Sequence, residues 1–186
     1  QADILFFILY LSYEDKKFAN LVQEGGTYFA FEELQKRYKR NLLLRHICHD
    51  IAHTIGKETF SKLKNLSEGL ELGNSFCWSG YYHGLLEEYL LVNEISPNRA
   101  ILNLCKENKG IFENYNLYHS CLHGLGHTIM FLKNNELFDA LPICDALNDS
   151  YEQLSCNTGI FMENANTNFE YHSTKFVRKD DLLYPC

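Results

Sequence analysis

Apolar side chains recur every three to four positions along much of this chain. The period is clear in FEELQKRYKRNLLL (31–44), LLLRHICHDIAH (42–53) and GYYHGLLEEYLLV (80–92). That spacing gathers them on one face of a helix. No stretch alternates apolar and polar positions in the way a half-buried strand does, and prolines number only three. The expectation is an all-α fold. Its opening apolar run, Ile4 to Leu11, spans eight residues, far short of the ~20 needed to cross a bilayer, and reads as a buried first helix. The pattern predicts a single all-α domain over 1–186: an N-terminal helical segment at 1–40, then degenerate Cys/His helical repeats at 41–186.

The repeats show in how segments end and begin. RAILNLC, FDALPIC and DDLLYPC close at Cys105, Cys144 and Cys186, each with a leucine three residues before the cysteine. CWSGYYHG, CLHGLGHT and CNTGIFME open at Cys77, Cys121 and Cys156. Each of these has glycine at the third following position (Gly80, Gly124, Gly159) and His83, His127 or Met162 at the sixth. A period of about 40 residues is that of two-helix repeats, which stack because no single unit buries its own apolar face. Each unit reads as a helix ending at the first cysteine, a loop, and a second helix starting near Cys-x-x-Gly, in a short solenoid or bundle. A disulfide across each loop would staple the hairpin, which predicts Cys105–Cys121 and Cys144–Cys156, with Cys48–Cys77 by elimination. Cys186 has the form of an opening cysteine whose partner lies past the end, as in a repeat truncated at the C-terminus.

The histidines follow the same phase. His49 and His53 are four apart, as are His123 and His127, while Glu87 lies four beyond His83. On a helix, such pairs share a face one turn apart and can approach one ion. A fourth related segment offers Glu163 beside Met162. The predicted metal ligands are therefore His49, His53, His83, Glu87, His123, His127 and Glu163, converging from the inner faces of the repeated helices on a mono- or dinuclear site, as inward His and Glu do in helical bundles. Imidazole accepts zinc, iron and copper alike, so the metal is a transition ion of open identity. Glu87, Glu163 and Asp50 are the candidate catalytic bases.

The dipeptide His49-Asp50 resembles the signature of HD-domain phosphohydrolases, themselves all-α metal enzymes. That resemblance covers about eight residues within CHDIAHTIG and implies a metal-dependent phosphohydrolase. The family's earlier ligand histidine has no counterpart, since no histidine precedes His46. HDIAH also resembles the zincin HExxH, with an aspartate one methylene shorter than that family's glutamate.

Charge narrows the partners. A formal net charge of −7 gives no basic surface, which argues against nucleic acid, whose phosphates require one. Seven cysteines, none in a CxxC pair, fit an oxidising, extracytoplasmic compartment. The chain has no starting Met and reads as a processed form, so any signal peptide or membrane anchor would lie outside it. The leading expectation is an extracytoplasmic metalloenzyme, hydrolase or oxidoreductase, acting on a small molecule. The alternatives are a non-catalytic metal-binding or trafficking protein, and a disulfide-stapled helical repeat that binds a protein partner.

Overall fold

The computed structural model describes residues 2–95, 103–108, 115–165, 174–178, 180–181 and 184. Among these residues there are nine helices and no strand: α1 (Ala2–Tyr38), α2 (Leu42–His46), α3 (Cys48–Leu63), α4 (Leu66–Glu71), α5 (Gly80–Val92), α6 (Asn103–Glu107), α7 (Tyr115–Leu132), α8 (Leu137–Cys144) and α9 (Ser150–Ala165). They form two compact units, Gln1–Val92 and Asn93–Cys186.

In the first unit, α1 is two helices rather than one. Gly26 sits at φ 84°, ψ 175°, a conformation that residues with a Cβ rarely adopt. The consequence is visible in side chains 23 positions apart: the Arg37 guanidinium clasps the buried Glu14 carboxylate. In a straight helix those residues would stand about 34 Å apart. The chain therefore doubles back at Gly26, and Asn41 Nδ2 donates to Tyr10 Oη (2.8 Å) across the same hairpin. Phe18, Val22, Ala30, Phe31 and Leu34 from its two arms are buried, as are Ile51, Ile55, Tyr81 and Leu85, and the Phe31 ring packs on Tyr81 with centroids 5.6 Å apart. The apolar run at the start behaves differently from expectation. Leu5, Phe6 and Leu9 are each about three-fifths exposed, because the core begins only at Glu14 and Phe18.

Helix α3 is the centre of this unit. It ends at Lys64, which takes a left-handed conformation and closes the last turn on the Phe60 carbonyl. Helix α5 crosses α3 with backbone against backbone. A Cβ built on Gly56 would lie 2.1 Å from the Tyr81 oxygen, and one on Gly84 would lie 2.0 Å from the His53 oxygen. Only glycine fits at such a crossing, which outweighs its weak helix propensity. Before α5, Cys77, Trp78 and Ser79 all have positive φ (57°, 54° and 60°). Left-handed conformations cost L-residues roughly 1–2 kcal/mol each, so the surrounding structure must hold this turn.

The second unit repeats the crossing with α7 and α9. A Cβ on Gly126 would lie 2.0 Å from the Cys156 oxygen, and one on Gly159 would lie 2.0 Å from the His123 oxygen. Tyr118, Leu122, Leu125, Ile129, Leu137, Ala140 and Ile160 fill its core. Helices α7 and α9 begin six residues before Cys121 and Cys156 rather than at them. For α9 the cause is local: Asp149 Oδ1 accepts from the amides of Tyr151 and Glu152 and so fixes the start of the helix.

Disulfides join Cys48 to Cys77, Cys105 to Cys121, and Cys144 to Cys156. The latter two close loops of 16 and 12 residues and each contributes about 3 kcal/mol in the chain-entropy account. Cys186 lies outside the described residues. No helix among the described residues is long and apolar enough to cross a membrane.

Candidate metal centre

In the first unit, three histidines meet where α3 crosses α5. His49 and His53 lie one turn apart on α3, and His83 enters from α5, buried to 1% exposure. The three ring centroids form a near-equilateral triangle with edges of 4.9 Å. One ring nitrogen from each lies within 4.8 Å of the other two. His53 Nε2 and His83 Nδ1 are 3.0 Å apart. Zinc–nitrogen bonds of about 2.0–2.1 Å at a tetrahedral angle put ligand nitrogens about 3.3 Å apart, a spacing close to that of the His53–His83 pair. The glycines make this meeting possible. Gly80 lies against the His49 carbonyl and ring, and Gly84 against the His53 carbonyl, which brings His83 down to the level of its two partners.

Hydrogen bonds orient the rings. His49 Nδ1 lies 3.0 Å from the Cys77 oxygen. A carbonyl can only accept, so Nδ1 carries the proton and Nε2 keeps its lone pair for an ion. Glu87 stands on the Nδ1 side of His53 at 4.0 Å, and Lys57 Nζ holds its carboxylate at 2.8 Å. Its position is that of an orienting group behind the ligand. Asp50 is exposed and, one residue on from His49, is turned about 100° around α3; it is not among the grouped side chains.

In the second unit, α7 and α9 form a polar ladder. His119 Nδ1 lies 2.8 Å from Ser155 Oγ, His123 Nδ1 lies 3.0 Å from Thr158 Oγ1, and His127 Nδ1 lies 2.6 Å from Glu163 Oε2. Counting protons fixes the direction of each rung. Ser155 gives its hydroxyl hydrogen to the Tyr151 carbonyl, and Thr158 gives its own to the Ser155 carbonyl. Both oxygens must therefore accept from imidazole, and the Glu163 carboxylate does the same for His127. That leaves the Nε2 atoms of His123 and His127 facing each other at 3.1 Å. Two lone pairs at that separation repel, so a shared proton or a metal ion between them satisfies the pair. Glu163 contacts the nitrogen that points away from the shared space, whereas Glu87 stands 4.0 Å from the corresponding nitrogen of His53.

His119 escaped the sequence reading. It continues the i, i+4 series of His123 and His127 back by one turn, and the periodicity of α7 alone marks it. The repeat phase hid it, because the position aligned with it in the first unit is Arg45. Burial holds its pKa below the usual histidine value, which favours the neutral ring.

Comparisons of the chain with protein-family models, with curated proteins and with solved structures find no match.

Proposed function

We propose that this chain is an extracytoplasmic protein that holds a transition-metal ion on His49, His53 and His83. The observation that carries the reading is the triangle of three imidazoles, with its Nδ1–H to carbonyl bond behind His49. His123 and His127 add a second ligand pair in the other unit, oriented by Thr158 and Glu163. Three intramolecular disulfides support the extracytoplasmic placement.

Three protein nitrogens leave a fourth position to water or substrate, which is the pattern of catalytic zinc rather than of closed structural sites. An ion so held would lower the pKa of its bound water toward 7, with Glu87 orienting His53 from its Nδ1 side. A second reading, metal holding without turnover, is favoured by the Lys57 ion pair, which already occupies that carboxylate. The position of Asp50 outside the triad supports both readings over HD-type phosphohydrolysis.

Elemental analysis of protein purified without added metal is the test, together with the melting temperature with and without zinc. Bound metal that is lost in His53→Ala and His83→Ala supports the site, and His123→Ala/His127→Ala should also lower the metal content. Absence of metal with no zinc-dependent rise in melting temperature refutes it.

A further inference from the structure

The first unit's disulfide and its histidine triad are joined through one residue at each end. Cys48 immediately precedes the ligand His49 at the start of α3. Its partner Cys77 supplies the carbonyl that accepts from His49 Nδ1 at 3.0 Å. The same oxygen accepts from the Gly80 amide at 3.3 Å, so both of its lone pairs are engaged. Cys77 also opens the left-handed run Cys77–Ser79, in which Trp78 is 64% exposed. Three consecutive residues with a Cβ persist in that region only when something over-determines them. Cys77 is bonded covalently to Cys48 at this point, at the residue whose carbonyl meets His49.

We propose that the Cys48–Cys77 disulfide, acting through the left-handed turn Cys77–Ser79, is the positioning element for His49, and that the first unit takes up a metal ion at full affinity only when this bond is formed. The inference rests on the triad being a metal site. With the bond intact, the Cys77 carbonyl selects the tautomer protonated at Nδ1 and directs Nε2 toward His53 and His83. In water, histidine favours the opposite tautomer. Opening the bond requires two electrons and two protons. A dithiol supplies both, leaving Cys48 and Cys77 as thiols while the reagent closes to its own disulfide. The turn can then relax to ordinary φ values, and His49 loses its fixed acceptor. Partners behind a ligand histidine typically change metal affinity by about 10–100-fold, which is the size of effect expected here.

Cobalt(II) titration, read by its visible absorption, tests the effect on wild type and on Cys48→Ala/Cys77→Ala. Alanine is used because freed thiols would themselves ligate the ion. The double variant should bind about 10–100-fold more weakly with far-UV circular dichroism unchanged. Added to His49→Ala, the same pair of changes should cost little more, because the positioned ligand is already gone. Added to His53→Ala, it should cost its full factor. Equal losses in the two backgrounds would overturn the proposal, since a general loosening of the unit weakens every ligand alike. Nitrogen-15 NMR of His49 in metal-free wild type gives a readout that needs neither metal nor substitution. A proton on Nδ1 is expected, and a proton on Nε2 overturns the proposal. If wild type binds no cobalt while His49 carries its proton on Nδ1, the metal reading fails and the positioning role stands.

Discussion

Gly84→Ala is the sharpest test of how the triad is assembled. A Cβ at this position would lie 2.0 Å from the His53 oxygen, 2.7 Å from its carbonyl carbon and 2.9 Å from its Cα. All three are backbone atoms, so no rotamer change can relieve the clash. Non-bonded heavy atoms settle near ~3.5 Å, and α3 and α5 would have to part by about 1.5 Å. Overpacking of a core costs roughly 1–3 kcal/mol, and the upper end applies where backbone meets backbone. Alanine returns about 1 kcal/mol through helix propensity. The net expectation is a loss of about 2 kcal/mol, or a fall of roughly 8–16 °C in melting temperature for a unit of this size. The same separation draws His53 away from His83, so cobalt affinity should drop with stability. Thermal and urea unfolding followed by far-UV circular dichroism measure the first effect. A Gly84→Ala protein as stable as wild type, or more stable, would show that the helices do not cross at this contact.

Three further outcomes are expected. Thr158→Val removes the acceptor of His123 Nδ1–H and should cost about 1 kcal/mol in urea unfolding, with the His123 proton moving to Nε2 by NMR; an unchanged tautomer refutes the ladder. Cys144→Ala/Cys156→Ala opens a 12-residue loop and should lower stability by about 3 kcal/mol, as read by urea unfolding of the second unit. His119 has a pKa lowered by burial, so below its unfolded value near 6.5 the unfolded chain binds the extra proton first. Its contribution is therefore intact above that pH and declines as pH falls toward the folded pKa; His119→Gln should flatten this part of the stability profile, and an unaltered slope counts against it.

The sequence shows helices and their stapled loops because two-helix units leave strong marks: apolar positions at helical spacing, and cysteines where hairpins turn. It shows His49, His53 and His83 because one-turn spacing and a shared phase are properties of sequence. Other features depend on what crosses what. The doubling back of α1 hangs on Gly26 within an otherwise continuous helical pattern, where Gly25-Gly26 was the sole punctuation. Glu87 and Glu163 share helices with the clustered histidines or face them, so spacing suggests ligation, and only the geometry shows each on the Nδ1 side of an imidazole. The left-handed turn at Cys77–Ser79 has no glycine or asparagine to announce it. It lies where tertiary contacts converge, at the Cys48–Cys77 disulfide and the carbonyl that meets His49.

The two units use the same arrangement at their helix crossings, which explains why glycine and histidine share a phase. Gly80 lies over the His49 carbonyl and Gly159 over the His123 carbonyl. In each case the glycine follows its cysteine by three residues and lets α5 or α9 sink onto the turn that carries the first histidine. What then reaches the second histidine differs. In α5 it is His83, whose Nδ1 comes within 3.0 Å of His53 Nε2. In α9 it is Glu163, which meets His127 at Nδ1. One crossing thus brings a third nitrogen to the pair, while the other brings a carboxylate that orients the pair from behind. Equivalent backbones carry unequal ligand sets, and the first unit is expected to bind a metal ion more tightly than the second. Cobalt titration of His83→Ala against Glu163→Gln checks that order: the first should remove the tighter phase and the second should weaken only the looser one. A tight phase that survives His83→Ala would reverse the assignment.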